Sequence, residues 1–373
     1  MAIISKMQRN RSTWRAGTIA GVALLLSACW GGQIKAPPGA VVPDTGNGAA
    51  GTVQTVAGTG ATGAINGPHD GARFSSPQGV AVDHSGVIYV ADSVNNLIRK
   101  ITTAGVVSTL AGSGISGALD GAGTAASFSN PLALAVDAQG VVYVCDTGNN
   151  AIRKIDTAGV VTTLAGGGLA GFADGQGRAA RFNVPHGVAV SARGDVYVAD
   201  FANHRIRKIT PSGGVTTFAG NDQAGASNGA SAAASFNDPA GIAIDASNDL
   251  YVGDQGNNLI RKISAAGNVT TLAGSGTAGT VNGSGTAASF NMPGALAVDA
   301  QGTVYVSASA ANQVRQVTAA GVVSAFAGSG LAGSKNGRAL EATFNLPAGV
   351  AVDASGNVVI ADSANNLIRK ILK

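Results

Sequence analysis

The chain has 373 residues, of which 45% are hydrophobic and 12% charged, and this composition excludes an intrinsically disordered protein. Its 55 glycines and 11 prolines are typical of short strands joined by tight turns. The net charge of +4 does not indicate nucleic-acid binding: Lys6, Arg9, Arg11 and Arg15 precede every acidic residue, and 24 basic residues less these four equal the 20 acidic ones.

Residues 1–28 are predicted to be a signal peptide. A basic segment is followed by an apolar stretch from Ala16 to Leu26, which is too short to span a bilayer comfortably. The segment ends Leu26-Ser27-Ala28-Cys29, which resembles the bacterial lipobox. The resemblance implies cleavage before Cys29, a diacylglyceryl group on its sulfur and an acyl chain such as palmitate on its amino group. The alternative is an ordinary secretory signal with an incidental cysteine.

Residues 29–50 are predicted to be the lipidated cysteine and a flexible tether, because they are rich in Gly, Pro and Ala and have no apolar period. Trp30 follows Cys29, in place of the aspartate associated with inner-membrane retention. We therefore expect a lipoprotein of the bacterial cell envelope, anchored in the outer membrane and either periplasmic or surface-exposed.

Residues 51–373 form one internal repeat of six copies. A proline recurs at intervals of 54 residues, at Pro77, Pro131, Pro185, Pro239, Pro293 and Pro347. Each copy contains four short β-rich segments separated by turns, which predicts a four-stranded antiparallel meander. One meander cannot bury both faces, so six must pack side by side.

The two ends of the repeat array complement each other. Residues 51–58, GTVQTVAG, match the fourth segment of a copy, and the last copy ends before that segment. We predict an all-β fold, a six-bladed β-propeller in which Thr52 to Ala57 pairs with Leu367 to Ile371 and closes the ring. A solenoid is the alternative, but it would need no such exchange.

The recurring sequences Pro-x-Gly-Val-Ala-Val-Asp, Gly-x-x-Tyr-Val-Ala-Asp and Asn-x-Ile-Arg-Lys-Ile closely resemble the NHL repeat over residues 51–373. The resemblance implies a β-propeller. It does not imply one function, because such propellers include RNA-binding, protein-binding, sensor-kinase and lyase members.

The candidate binding residues are those that break the repeat. The long glycine-rich connections and the Asp-x-x-Asn-Asn loops are expected on one face, and binding is expected there, near the central channel. Gln78 and His186 stand out at a variable position after the proline, and Phe201 and His204 distinguish the loop of the third blade. The alternative is neutral variation among exposed loop residues.

No metal, cofactor or catalytic group is predicted. The four histidines, His69, His84, His186 and His204, occupy unrelated repeat positions, and one Asp or Asn per long loop is too few for calcium. That Asp or Asn precedes a glycine and is interpreted as a turn residue. The repeated Asp92 and its equivalents are interpreted as loop caps, and the repeated Arg99 and its equivalents as inter-blade packing with solvated ion pairs.

Two further positions carry predictions. Cys145 stands where the other blades have small residues, so we expect it to be packed in a strand. Blade five departs furthest, with Ala308 in place of Asp and Ala311 in place of Asn, and its loop should be held less rigidly.

The sequence favours a monomeric, non-enzymatic scaffold that binds an envelope or extracellular protein or glycan. The alternative is a lyase or hydrolase with a site near His186 at the channel mouth.

Overall fold

The computed structural model describes residues 51–373. The predicted signal peptide, Cys29 and the tether, residues 1–50, lie outside the described residues. The described residues form six antiparallel sheets and no α-helix, which confirms the predicted all-β, six-bladed propeller. No helix in this part of the chain is long and apolar enough to cross a membrane.

The strands follow the repeat in chain order after an opening strand, β1 (Thr52–Ala57). Blade one contains β2 (Pro77–Val82), β3 (Ile88–Asp92), β4 (Leu97–Ile101) and β5 (Val107–Ala111). Blade two contains β6 (Gly121–Ala122), β7 (Pro131–Val136), β8 (Val142–Asp146), β9 (Ala151–Ile155) and β10 (Val160–Gly166). Blade three contains β11 (Gly175–Gln176), β12 (Pro185–Val190), β13 (Val196–Asp200), β14 (Arg205–Ile209) and β15 (Gly214–Ala219).

The second half continues in the same way. Blade four contains β16 (Gly229–Ala230), β17 (Pro239–Ile244), β18 (Leu250–Asp254), β19 (Leu259–Ile263) and β20 (Asn268–Ala273). Blade five contains β21 (Gly283–Ser284), β22 (Leu296–Val298), β23 (Val304–Ala308), β24 (Gln313–Val317) and β25 (Val322–Ala327). Blade six contains β26 (Gly337–Arg338), β27 (Pro347–Val352), β28 (Val358–Asp362) and β29 (Leu367–Leu372), with β1.

Short 3-10 helices connect the strands. They span Ser93–Asn95, Gly123–Ala125, Thr147–Asn149, Gly177–Ala179, Phe201–Asn203, Gln255–Asn257, Gly285–Ala287, Ser309–Ala311 and Ser363–Asn365. Six of the nine lie between the second and third long strands of a blade. The face of the propeller that carries these six helices is called the loop-rich face.

The first long strand of each blade lines the centre of the ring. Strand β2 contacts both β7 and β27, so blade one touches blades two and six. These inner strands approach closely: a Cβ on Gly79 would lie 2.5 Å from the carbonyl oxygen of Leu132. Only glycine fits such an approach without moving backbone.

Apolar side chains fill the spaces between neighbouring blades. One cluster joins Tyr89 and Ile98 of blade one to Phe128 and Val144 of blade two, and each of the other blade pairs has an equivalent cluster. Cys145 belongs to one of them and is fully buried, as predicted, and burial raises the pKa of its thiol.

Strand β1 is the neighbour of β29 in blade six. The pairing is antiparallel, with Thr52 opposite Leu372 and Val53 opposite Ile371. Val53 is buried among residues of blades five and six. Backbone hydrogen bonds therefore join the beginning of the described chain to its end.

The structure adds a short outer strand to most blades, which the prediction of four strands per blade did not include. In five blades the long connection before the first inner strand adds a two-residue outer strand, such as β6 against Val160 and Val161 of β10. In blade one the same place holds a single bridge between Gly67 and Val107. These segments pair with the outer edge of each blade, an edge that would otherwise offer free backbone groups.

Candidate functional site

The sequence predicted that the long connections lie on the loop-rich face, but only part of each one does. Each begins there, where Asn149 donates to the carbonyl oxygen of Gly117. It then runs along the outer edge to the opposite face, where the Gly123 N–H donates to the Gly159 carbonyl oxygen in the turn before β10. Its last residues return to the loop-rich face, where the Gly148 N–H donates to the Ser129 carbonyl oxygen. The loop-rich face is therefore built from the 3-10 helices between the second and third long strands and from both ends of each long connection.

The repeated arginine of each blade is buried in a polar network. In blade one Arg99 is 0% exposed, and its Nη1 donates to Asp92 Oδ2 (2.7 Å) and to the carbonyl oxygen of Arg73 (3.1 Å). Its Nη2 donates to Asn66 Oδ1 (2.7 Å) and the Ile65 carbonyl oxygen (2.9 Å). The guanidinium also lies 5.1 Å from the ring centre of Phe74.

The network recurs in five blades, and blade five keeps the arginine without the aspartate. The buried guanidiniums are those of Arg99, Arg153, Arg207, Arg261, Arg315 and Arg369. The interpretation of these arginines as partners in solvated ion pairs was wrong, because each is completely or almost completely enclosed between blades. Solvent-accessible ion pairs are instead formed by the next residue, such as Lys208 with Asp195 (2.8 Å) and Lys262 with Asp249 (2.9 Å).

Two smaller interpretations also change. Asp92 does not cap its own 3-10 helix with a side-chain hydrogen bond. Its Oδ1 accepts the backbone N–H of Ser75 (2.7 Å) and its Oδ2 accepts from Arg99 and from Asn95 Nδ2 (2.9 Å). The Asp or Asn before glycine in the long connection, such as Asn66, is likewise an acceptor for the arginine as well as a turn residue.

Burial controls the ionisation of these carboxyl groups. It raises the pKa of each above its ordinary value, and the hydrogen bonds and the arginine charge oppose that rise. The affected residues are Asp92, Asp146, Asp200, Asp254 and Asp362. Since they recur from blade to blade and are enclosed, they hold the scaffold together and do not face a ligand.

His186 and Phe201, predicted from their departure from the repeat, come together in blade three. Their rings stack with centres 4.9 Å apart and an angle of 29° between planes. Both side chains are half-buried on the loop-rich face. Burial lowers the pKa of His186 to about 4, so the imidazole is neutral at physiological pH.

His204 has a structural contact. It stands where the other blades have an asparagine in the left-handed backbone region, with φ +54°. In those blades the asparagine Oδ1 accepts a backbone N–H from the next blade, as Asn150 does from Val184 (3.0 Å). His204 Nδ1 accepts the N–H of Asp238 (3.1 Å) in the same way, so its ring joins blades three and four.

Gln78 does not come together with the blade-three residues. It lies in β2 of blade one, half-buried, and its Nε2 donates to the hydroxyl of Ser76 (3.0 Å). It occupies the same place in its blade as His186 does in blade three.

Phe201 also interrupts a repeated contact between blades. In four blades a serine or threonine hydroxyl at this position donates to the proline carbonyl oxygen of the next blade, as Thr147 does to Pro185 (2.6 Å). Phe201 in blade three and Gln255 in blade four have no hydroxyl. Their side chains are therefore released from the internal contact that the position makes elsewhere.

Two residues near this stack were missed by the sequence reasoning. Phe172 is 45% exposed, and the guanidinium of Arg205 lies 4.0 Å from its ring centre. Asn203 donates to the Gly171 carbonyl oxygen (2.9 Å), so the segment carrying Phe172 lies against the loop of Phe201. The sequence did mark Arg205 as a departure from the repeat, because the other blades have Leu, Ala or Gln at this position. The four side chains His186, Phe201, Phe172 and Arg205 are called here the blade-three surface.

Comparison with protein families agrees with this architecture. The NHL repeat matches residues 128–155, 182–209, 236–263 and 344–371, which lie in blades two, three, four and six. The teneurin NHL domain matches residues 63–120, which cover blade one. The chain is an NHL-repeat β-propeller.

Two curated relatives are longer than this chain. The Arabidopsis thaliana protein SUPPRESSOR OF QUENCHING 1, chloroplastic, is 30% identical over 278 residues, or 69% of this chain and 26% of that protein. NHL repeat-containing protein 2 of Bos taurus is 29% identical over 298 residues, or 53% of this chain and 41% of that protein. The chain therefore spans less than half the length of these two relatives.

Solved structures share the propeller fold with this NHL protein. An auxiliary nutrient binding protein from Bacteroides thetaiotaomicron has a TM-score of 0.66 at 18% identity, covering 86% of this chain and 76% of that one. A streptogramin B lyase has a TM-score of 0.52 at 14% identity, covering 87% and 99%. At these identities the similarity concerns the fold alone.

Two cavities lie on the face opposite the loop-rich face. A cavity of about 520 Å³ lies between blades six and one and is lined by His84, Asp353 and Lys370. A second of about 370 Å³ shares His84 and Asp353 and opens where the inner strands end. In residues 51–373 no three His, Cys, Asp or Glu side chains are grouped to hold a metal ion.

Proposed function

We propose that this NHL propeller is a non-enzymatic binding scaffold that recognises an envelope or extracellular protein or glycan through its loop-rich face. The observation that carries the proposal is the blade-three surface, where Phe201 replaces a hydroxyl residue that makes an internal contact in four other blades and stacks on His186, and where Arg205 covers Phe172. Aromatic and arginine side chains are enriched among the residues that dominate binding energies. The similarity to propellers named as nutrient binding proteins is compatible with this role.

The proposal includes a membrane anchor. Residues 1–28 would act as the signal peptide, and residues 29–50 would link lipidated Cys29 to the propeller at the outer membrane. More than one acyl chain is needed for stable anchoring, since a single chain binds a bilayer only marginally. Labelled palmitate should be incorporated into the wild-type protein in a bacterial host and not into Cys29→Ser. Incorporation that survives this change would remove the anchor from the proposal.

Photo-crosslinking from defined positions tests the binding face. A photoreactive residue is placed at position 78, 186 or 201 on the loop-rich face and, as a control, at exposed Gln139 in a turn of the opposite face. In native envelope, the loop-rich positions should capture a partner and position 139 should not. Capture confined to position 139 would reject the proposed face.

Arg205 offers a second test of the same surface. With a captured partner in hand, Arg205→Gln and Phe172→Ala should each weaken binding, because they remove the half-buried cation and the exposed ring that it covers. Arg193→Gln, in an exposed turn of blade three on the opposite face, serves as the matched control. Equal loss with all three variants would indicate a general charge or folding effect.

The neutral, half-buried imidazole of His186 favours one alternative, a lyase or hydrolase at the channel mouth in which His186 holds a metal ion, since imidazole binds metals in its neutral form. Metal analysis of the purified protein distinguishes the two functions. A stoichiometric ion that is lost in His186→Ala would favour the enzyme, whereas an unchanged metal content near zero would leave the scaffold as the better proposal.

A further inference from the structure

Blade five keeps its buried arginine but lacks the carboxylate that accompanies it elsewhere. Ala308 occupies the position of Asp92 and Ala311 that of Asn95. Arg315 is nevertheless 1% exposed and lies 4.9 Å from the ring centre of Phe290, as its equivalents do in the other blades. The other five arginines each form a 2.6–2.8 Å ion pair with an aspartate of their own blade.

The guanidinium of Arg315 lacks one acceptor that its equivalents in the other blades have. Its Nη2 donates to Asn282 Oδ1 (2.7 Å) and the Val281 carbonyl oxygen (2.9 Å), and its Nη1 donates to the Ser289 carbonyl oxygen. Each terminal nitrogen carries two hydrogens, and elsewhere the second hydrogen of Nη1 goes to the aspartate. Burial without that charge lowers the pKa of Arg315 to about 10. A buried cation without a counter-charge is costly to the fold.

Other groups around Ala308 have also lost their internal partners. In the other blades the aspartate accepts the N–H of the residue after the phenylalanine, as Asp254 does from Asn237 (2.8 Å), and Asn257 donates to the Gly225 carbonyl oxygen (2.7 Å). In blade five the equivalent groups are the N–H of Asn291 and the carbonyl oxygen of Gly279. Within residues 51–373 neither group has this side-chain partner, because Ala308 and Ala311 have no polar side-chain atoms.

The position is also more open than in the other blades. The inner strand β22 begins at Leu296, three residues later than its equivalents, and its pairing with β23 does not reach Ala308. Ala308 is 5% exposed, whereas the aspartates at this place are 0% exposed. Ala308 ends β23 beside the 3-10 helix of the loop-rich face, so this face is the side from which a small molecule would enter the space that the aspartate and asparagine side chains fill elsewhere.

We propose that blade five contains a binding site for a small carboxylate, held by Arg315 Nη1 and the Asn291 N–H in the place of the missing aspartate side chain. A hydroxyl or amine next to the carboxylate would occupy the place of the missing asparagine amide and donate to the Gly279 carbonyl oxygen. The site thus fits an α-hydroxy or α-amino carboxylate better than a simple one. It does not depend on the macromolecular partner proposed above.

Thermal unfolding of the full chain in sodium formate, acetate or glycolate, against sodium chloride of equal ionic strength, tests the site. Each carboxylate should raise the Tm of the wild type saturably, by about 2 °C near tenfold excess over its Kd. Glycolate should bind about three- to tenfold more tightly than acetate because it makes one more hydrogen bond. Ala308→Asp supplies the carboxylate within the chain and should abolish the response while raising the Tm without ligand.

Blade four provides the converse variant. Asp254→Ala combined with Asn257→Ala removes the same two side chains beside Arg261, and it should create a second site with an added response to acetate. The inference is overturned if none of the three carboxylates raises the Tm of the wild type beyond chloride. It is equally overturned if the wild type and Ala308→Asp respond alike, since binding would then lie elsewhere.

Discussion

The repeated arginine shows how one side chain can be a core residue. Arg207 covers the ring of Phe182 with its guanidinium at 5.2 Å and directs its terminal nitrogens to Asp200, Asp174 and two backbone carbonyls. Each such group links the third long strand, the long connection and the end of the second long strand of the same blade. Removing one partner of a charge enclosed in this way is costly, because the charge is left buried without full compensation.

Removing the carboxylate of one buried pair should therefore be severe. Asp254→Ala leaves Arg261 enclosed without its counter-charge, and we expect a loss of about 3–5 kcal/mol in the free energy of unfolding. Lys262→Gln removes the neighbouring solvent-accessible pair with Asp249 and should cost less than about 1 kcal/mol. Urea denaturation of both variants measures the difference. Similar losses would contradict the structural role assigned to the buried pair.

His186 should make the stability of the protein depend on pH in a defined window. Its pKa is about 4 in the folded protein and about 6.5 when unfolded, so between these values the unfolded chain binds more protons. The contribution of the neutral imidazole is complete above pH 6.5 and is lost as the pH falls towards 4. In His186→Phe the Tm should fall less over this window than in the wild type. Parallel curves for the two proteins would show that His186 titrates normally.

The connections between elements are shaped by residues in the left-handed backbone region. Each of the six 3-10 helices on the loop-rich face ends in one, such as Asn150 (φ +49°), whose side chain then accepts an N–H from the next blade. The residue that donates this N–H precedes the proline and is itself left-handed, even where it is Val184 (φ +55°). A β-branched side chain is disfavoured in this region, so the contact between blades holds Val184 in a strained conformation.

This strain predicts a stabilising substitution. Val184→Asn introduces the residue that blade two has at the same place, Asn130 (φ +49°), and should raise the free energy of unfolding by about 1 kcal/mol. The exchange Asn130→Val should lower it by a similar amount. Chemical denaturation of the two variants measures both. Destabilisation by Val184→Asn would show that the half-buried valine contributes more by packing than it costs in backbone energy.

At the scale of the whole molecule, the 54-residue period was sufficient to predict six blades, because repeated apolar segments of strand length leave few ways to bury their faces. The outer strands were missed, since two residues such as Gly121 and Ala122 carry no pattern. The burial of Arg99 was missed because its acceptors Asn66 and Asp92 lie in different loops and meet only in the folded blade. His186 and Phe201, which were singled out because they break the repeat, stack on each other, whereas His204 breaks the repeat but preserves its hydrogen bond.

The pairing of β1 with β29 predicts how the ring fails. Deleting residues 51–57 would leave the outer side of β29 unpaired and remove Val53 from the core between blades five and six. An unpaired strand edge is a template for another chain, so we expect a lower Tm and concentration-dependent dimers. Light scattering measures the association, and hydrogen exchange at Ile368 and Ile371 reports the opened edge. A deletion of equal length in the predicted tether, residues 43–49, is the control and should leave the protein monomeric. If the two deletions behave alike, the opening strand does not hold the propeller closed.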